Sequence, residues 1–376
     1  MKYCKTCLQP DTRPNTIFTE EGVCPACNYF DALQHVDWQE RHEILVDLLN
    51  SFPQKEGQHF DCIIGVSGGK DSTRQALFVR DRLGMNPLLV CLSYPPQQVT
   101  ERGVDNISNL IELGFDVVLS APAPETWRKL MRTSFDTFTN WCRSTELALF
   151  SSVPQIAIRY NIPLILWGEN PGLQLGDLKT LGNTGYDGNN LRYMNTLSGA
   201  GLDWMLDSGV QSRELLPYMY PTPGEFEKSN LQIVYLGWFL GDWSLVNNAA
   251  YSCVNGLEIR EDTVKGTGDL YGITALDEDW VTLNQMIKYY KFGFGRVTDY
   301  ANEEIRLGNM TRQKGISLVE AYDDACGDEY IDSFCDYIDI PVSKFWAQVR
   351  ASVNRDLFTV KGDGSICRKF KVGVGL

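Results

Sequence analysis

A chain of 376 residues with 43% hydrophobic and 22% charged residues has the balance of a soluble globular protein, with room for one large domain plus a smaller one or two of moderate size. No apolar run reaches the ~18 residues that cross a bilayer, and the polar start is unlike a secretory signal, so a cytoplasmic location without a membrane partner is expected. A net charge of −14 argues against a nucleic-acid partner, whose phosphates are neutralised by Lys and Arg; a local cationic pocket for a phosphorylated small molecule stays open.

Residues 1–30 are rich in turn formers and carry Cys4-x-x-Cys7 and Cys24-x-x-Cys27, separated by sixteen residues. Two such pairs let two tight knuckles present four thiolates tetrahedrally to Zn2+. So short a segment buries little core, so the metal would supply its folding energy, and four sulfurs fill the coordination shell. A structural zinc in a ribbon-like segment is therefore expected, with an iron–sulfur cluster or unliganded thiols as the alternatives.

Helical spacing of Ile44, Leu45, Leu48 and Leu49 predicts a helix over Trp38–Leu49, and the Pro-Gln-Lys-Glu-Gly run beginning at Pro53 reads as a linker. Then a regular alternation begins. Strands are predicted at Cys62–Val66, Leu88–Leu92, Asp116–Ser120 and Leu164–Trp167. Between them fall helices over Asp71–Leu83, Val104–Leu113 and Glu125–Tyr160, the last broken near Pro154. Continuous apolar strands alternating with helices indicate an α/β fold with a parallel sheet covered on both faces, whose ligands sit at the carboxyl ends of the strands. From 171 to about 268, dense Gly, Asn and aromatics give no assignable element. Further helices are expected at Asp279–Tyr290, Thr298–Leu307, Leu318–Ala325 and Val342–Val353. The expected division is a Cys4 segment over 1–30, the nucleotide-binding domain over 31–270 and a mostly helical region over 271–376.

The first strand runs directly into Ser67-Gly68-Gly69-Lys70-Asp71-Ser72 and then a helix. Adjacent glycines let the backbone curl close to an anion, and the amides at the helix start form a phosphate cradle. Lys70 adds a point charge, Ser67 and Ser72 add hydroxyl donors, and Asp71 suits Mg2+. The longer Walker loop, with four residues between its glycines, is absent.

This loop resembles the PP-loop of the ATP pyrophosphatases, in the adenine-nucleotide alpha-hydrolase superfamily. Those enzymes split ATP between the alpha and beta phosphates and pass AMP to a substrate oxygen. The resemblance implies that Ser67–Ser72 wrap pyrophosphate and that Leu92 and Ser93 lie near adenosine. A longer set is similar to the N-acetyl sugar amidotransferases (WbpG/PseA-like): Ser67 through Met85, Leu92-Ser93-Tyr94-Pro95-Pro96, Trp167-Gly168-Glu169-Asn170-Pro171 and Lys291-Phe292-Gly293-Phe294-Gly295-Arg296, with the cysteine quartet. That resemblance implies a nucleotide-linked diacetamido uronic acid as substrate, an acetamidino sugar for O-antigen as product, and ammonia from a separate HisH-like glutaminase acting with a HisF-like protein.

The residues agree with a separate ammonia source. A glutaminase of the common type needs a Cys–His pair, and His35, His42 and His59 all precede the nucleotide fold. Glu169, at the end of the fourth strand, is a candidate to orient substrate or metal, or else a plain strand-end turn. Lys291 and Arg296 are candidates for sugar or ATP phosphates, or solvated charges; Asp299 is a weaker candidate. Cys142 is similar in type to the reactive cysteine of tRNA thiolases, with a buried structural thiol as the plainer reading. A PP-loop tRNA thiolase is the alternative function, disfavoured by the acidic charge and by the absence of paired cysteines outside the knuckles.

Overall fold

The computed structural model describes residues 1–52, 57–179, 181–182, 184–194 and 196–376; four residues of the expected linker, 53–56, lie outside it. The first helices are α1 (Pro25–Leu33) and α2 (Trp38–Asn50), the latter capped by Asp37. There follow β1 (Cys62–Val66), α3 (Lys70–Asp81), β2 (Pro87–Leu92), α4 (Glu101–Glu112), β3 (Val117–Ser120), α5 (Pro124–Phe138), α6 (Cys142–Tyr160) and β4 (Leu164–Trp167). A strand that the sequence did not reveal, β5 (Gln232–Tyr235), and α7 (Leu245–Val254) precede the C-terminal helices. These are α8 (Val281–Phe292), α9 (Arg296–Arg306), α10 (Arg312–Tyr322), α11 (Asp328–Ile338) and α12 (Val342–Ser352), closed by the hairpin β6 (Phe358–Val360) and β7 (Ile366–Arg368).

The five main strands form one parallel sheet in the order β3-β2-β1-β4-β5. Successive side chains alternate between its faces. Ile63, Leu88, Val90, Ile165 and Ile233 enter one core with α5, α6 and the C-terminal helices. Ile64, Val66, Leu89, Leu164, Leu166 and Val234 enter the other with α2, α3 and α4. The chain builds outward from β1 to β3, then returns to lay β4 on the other side of β1. The strand order therefore reverses between β1 and β4, where crevices for ligands form in open α/β sheets.

Pro154 does not break the long helical stretch. It lies inside α6, where buried Val153, Ile156 and Ala157 hold both flanks in the core against the loss of one backbone hydrogen bond. The break falls instead at Thr139, left-handed at φ +46°. α4 also starts earlier than expected, because Thr100 Oγ1 accepts the Gly103 amide as a cap. Likewise, Thr311 starts α10 at Arg312.

Candidate functional site

β1 and β4 are paired through Ile63–Ile165 and Ile64–Leu166, so the loops that leave their carboxyl ends are neighbours. One is Ser67–Gly69, the other Gly168–Glu169. At Gly68 the backbone is left-handed, φ +72°, and a Cβ would stand 2.9 Å from Asn106 Cβ on α4. At Gly168 a Cβ would meet Gln75 Oε1 at 2.5 Å, so the second loop closes tightly on α3. α3 begins at Gly69 with no side chain capping it, which leaves the first amides of a twelve-residue helix for an anion.

The loop's side chains are held from α7, which the sequence did not single out. Lys70, 5% exposed, donates to Asp71 Oδ2 at 2.7 Å. Asn248 Nδ2 donates to Asp71 Oδ1 at 2.6 Å, and Ser252 Oγ to the Lys70 carbonyl at 2.7 Å. Asn248 in turn accepts from Arg74, whose other arm pairs with Asp242 at 2.6 Å. Burial lowers the pKa of the Lys70 ammonium, but Asp71 more than offsets this, with Glu303 and Glu169 adding, so the pKa stands above its ordinary value. Lys70 is thus a fixed cation beside the cradle, and the set fits a triphosphate.

These groups open into a cavity of ≈ 330 Å3 over the carboxyl ends of β1, β2 and β4. Ser67, Gly69, Lys70, Asp71, Ser72 and Glu169 line one end. Tyr94, Trp141, Cys142, Glu146 and the segment 273–278 line the other, with Leu92 in the wall between. The segment 273–278 is organised by Asp269, which accepts from the Gly272 and Thr274 amides, each at 3.0 Å, and from Tyr300 Oη. It is pinned to the start of α4 where Thr100 and Arg102 donate to the Leu276 carbonyl.

Burial raises the cavity's carboxyls. Glu169 is pushed up to about 7, first by burial, then by Asp71, against the pull of Lys70. Protein surrounds Glu169, yet its surface is exposed to the cavity, so water there limits the rise. Burial lifts Glu146 to about 8. Burial, aided by Asp277, does the same for Glu278, and Asp277 rises to about 6. Cys142 is kept a neutral thiol by burial, then by Glu146 and Glu278.

Not every residue singled out in the sequence reaches this cavity. Ser93 is tied to β3, its amide 2.9 Å from the Ser120 carbonyl. Lys291 donates to the Phe138 and Thr139 carbonyls at 2.6 and 2.9 Å. It caps α5 at the break before α6, away from the phosphate loop; burial lowers it to about 8. Arg296, 6% exposed, faces Asp269 at 4.0 Å and supports the 269–274 turn. Asp299 pairs with Arg13 and Lys288, joining the N-terminal segment to α8. Neither Lys291, held by backbone carbonyls, nor Arg296, whose Nη1 faces Asp269 without a hydrogen bond, lines the cavity of the phosphate loop.

The four N-terminal cysteines come together as a buried cluster, all sulfurs within 4.8 Å of one another. Cys4–Cys27 and Cys7–Cys24 are 3.9 and 3.7 Å apart, against the about 3.8 Å that four 2.3 Å bonds to one tetrahedral ion require. The Cys24 amide points at Cys4 Sγ at 3.2 Å and the Gln9 amide at Cys7 Sγ at 3.3 Å, as thiolate ligands favour. The cluster sits on α9 and α10: the Leu8 amide donates to Asn302 at 2.8 Å and Arg312 to the Cys7 carbonyl at 3.1 Å. These cysteines fit a metal ion.

No described helix is long and apolar enough to cross a membrane. None of the curated proteins matches the chain. Among solved structures, the U34-tRNA thiolase NcsA from Methanococcus maripaludis with its [4Fe-4S] cluster is 12% identical, with 90% of this chain and 95% of that one covered. Its TM-score of 0.29 is too low to bear on fold detail or activity. Residues 269–371 match the family described as LPS biosynthesis protein WbpG-like, C-terminal domain; this stretch includes the cavity wall at 273–278. Residues 269–371, which close the phosphate-loop sheet, are thus similar to the C-terminal domain of the WbpG-like proteins.

Proposed function

We propose that this protein is an AMP-forming sugar amidotransferase. It adenylates an acetamido carbonyl of a nucleotide-linked N-acetyl sugar, a UDP-diacetamido uronic acid in the first instance, and replaces the oxygen by ammonia. The product is an acetamidino sugar for a surface glycan such as O-antigen. The observation that carries this reading is that one cavity joins the phosphate loop at Lys70 and Asp71 to the wall at 273–278 supplied by the WbpG-like domain.

The chemistry suits these residues. An acetamido group resists ammonia because its nitrogen donates into the carbonyl and oxide is a poor leaving group. Attack of the carbonyl oxygen on the alpha phosphorus forms a C–O–P bond, and the P–O bond to pyrophosphate breaks. Lys70 and the α3 amides stabilise the charge that builds on pyrophosphate, and positioning does most of the remaining work. Asp71, held by Asn248 and Lys70, is the residue to hold Mg2+, which when bound would neutralise phosphate charge. Glu169, facing Lys70 across the loop ends, orients the reacting amide. We assign Zn2+ to the cysteine cluster, as a structural ion.

Ammonia is proposed to come from a separate HisH-like glutaminase with a HisF-like partner. His35, His42 and His59 are all exposed and none lines the cavity, which supports an external source. A tRNA thiolase is the weaker reading. Among the described residues the cavity has one cysteine, Cys142, and its thiol is held neutral, whereas sulfur transfer needs a thiolate. The test is mass spectrometry of UDP-diacetamido sugars incubated with the protein, ATP, Mg2+ and ammonium. An amidine product is lighter by about one mass unit, as exchange of O for NH requires. Unchanged sugar across the candidate set would count against the proposal.

A further inference from the structure

The end of the cavity opposite the phosphate loop holds two carboxyls, each with one oxygen that makes no hydrogen bond. Glu146 lies one turn after Cys142 on α6. Glu278, 4% exposed, stands at the end of the 273–278 wall. One oxygen of Glu278 accepts the Val281 amide at 2.9 Å and so caps α8; its other oxygen is buried without a partner, as is Oε2 of Glu146. Gln98 lies close enough to Glu278 to favour its charged form, although its Nε2 closes no hydrogen bond. After burial, both carboxyls raise the pKa of the Cys142 thiol. Arg102 and Arg260 pair with Asp279, and Arg296, which feels the charge of Glu278, faces Asp269; none of the three lines the cavity. Among the described residues Lys70 is the one Lys or Arg that lines the cavity, and it is engaged with Asp71.

A buried carboxyl oxygen without a donor is costly, and such groups in a cavity mark a missing ligand. The missing group must donate hydrogen bonds, and beside two carboxyls a cation is favoured. Tyr94, Trp141 and Phe150 are also in the lining, and aromatic rings attract cations. We infer that Glu146 and Glu278 form a nitrogen-cation subsite that receives ammonium and afterwards holds the amidinium group of the product.

This assignment rests on the reaction proposed above, and the protons balance within it. A cation entering between them favours the ionised form of both carboxyls, whose protons pass to solvent; one carboxylate then takes a proton from ammonium and leaves ammonia. The nitrogen lone pair forms the C–N bond to the adenylated carbon. The second carboxylate takes the proton shed by the new C–NH3+ group. The C–O bond to AMP breaks, its electron pair leaves with AMP, and the sugar departs as the amidinium. That cation is planar and bears N–H donors on both nitrogens, a match for two carboxyls.

The probe is acetamidinium chloride, followed by tryptophan fluorescence, since Trp141 and Trp167 line the cavity, and by thermal unfolding. For the unaltered protein, binding and a raised Tm are expected, with sodium chloride at equal ionic strength inert. Glu146→Gln and Glu278→Gln each weaken acetamidinium binding at least tenfold and raise the KM for ammonium more than the KM for ATP. Hydroxylamine, a nucleophile that is neutral near pH 7, recovers part of the lost turnover. The sodium comparison on the unaltered protein decides the matter even if a variant does not fold. No response beyond sodium, or a KM for ATP that rises in step and so places ribose hydroxyls on these carboxyls, overturns the subsite. Acetamidinium binding without AMP formation from any candidate sugar leaves the subsite standing and removes the reaction; AMP formation without binding does the reverse.

Discussion

Asn248→Ala isolates the part of the phosphate site that the sequence concealed. Asn248 is fully buried and bridges two charged groups, donating to Asp71 at 2.6 Å and accepting from Arg74 at 2.5 Å. A hydrogen bond to a charged group contributes about 1.5–3 kcal/mol. Asp71 keeps Lys70, and Arg74 keeps Asp242, so the loss falls short of two full bonds, at about 2–3 kcal/mol. For a chain of this size that lowers Tm by on the order of 2–4 °C. Asp71, freed on one side, turns further onto Lys70 and presents Mg2+ poorly, so affinity for Mg-ATP falls at least tenfold. Differential scanning calorimetry and titration calorimetry with Mg-ATP measure the two effects on one sample. A variant with unchanged Tm and unchanged ATP affinity would refute the idea that α7 holds the loop.

Gly68→Ala forces a left-handed residue to carry a Cβ, at a cost of about 1–2 kcal/mol, and drives that atom to 2.9 Å from Asn106; loss of ATP binding with a Tm fall of a few degrees is expected, and normal ATP binding would clear the loop of its role. Removal of the metal by a chelator, or Cys24→Ser, is expected to release the N-terminal segment from α9 and α10, read as protease cleavage within residues 1–30 and loss of bound metal by elemental analysis. Glu278 has a folded pKa of about 8 against an ordinary 4.5. The folded state therefore holds its proton more tightly, and the resulting stabilisation is complete below about pH 4.5 and fades as pH rises to about 8, at about 1.4 kcal/mol per pH unit as an upper bound. Glu278→Gln should flatten that part of the Tm-versus-pH curve, and a parallel curve would contradict it.

The strands β1, β2 and β4 were legible because each is an apolar run largely buried on both faces, and β3, a half-exposed edge strand, because its short apolar run follows the helix stop at Gly114. β5 was not, since its four residues are flanked by aromatics and sit in a stretch where side chains, rather than periodicity, carry the structure. The phosphate loop and cysteine cluster could be read because local spacing alone sets their geometry. Asn248, Ser252, Glu146 and Glu278 act at the site through contacts more than seventy residues away from the loop in sequence, and no local pattern marks them. Lys291 and Arg296 misled for the opposite reason: a glycine–aromatic segment with two cations resembles an anion site, yet the fold directs them to the α5 carbonyls and Asp269. Pro154 misled because propensity yields to a helix held on both flanks by the core.

The most direct test follows the fate of ATP by 31P NMR, with a UDP-diacetamido sugar, ammonium and Mg2+ present. AMP and pyrophosphate should accumulate together and depend on the sugar, and Lys70→Ala should abolish both. Accumulation of ADP and phosphate, or AMP release that survives Lys70→Ala, would contradict adenylation at this loop.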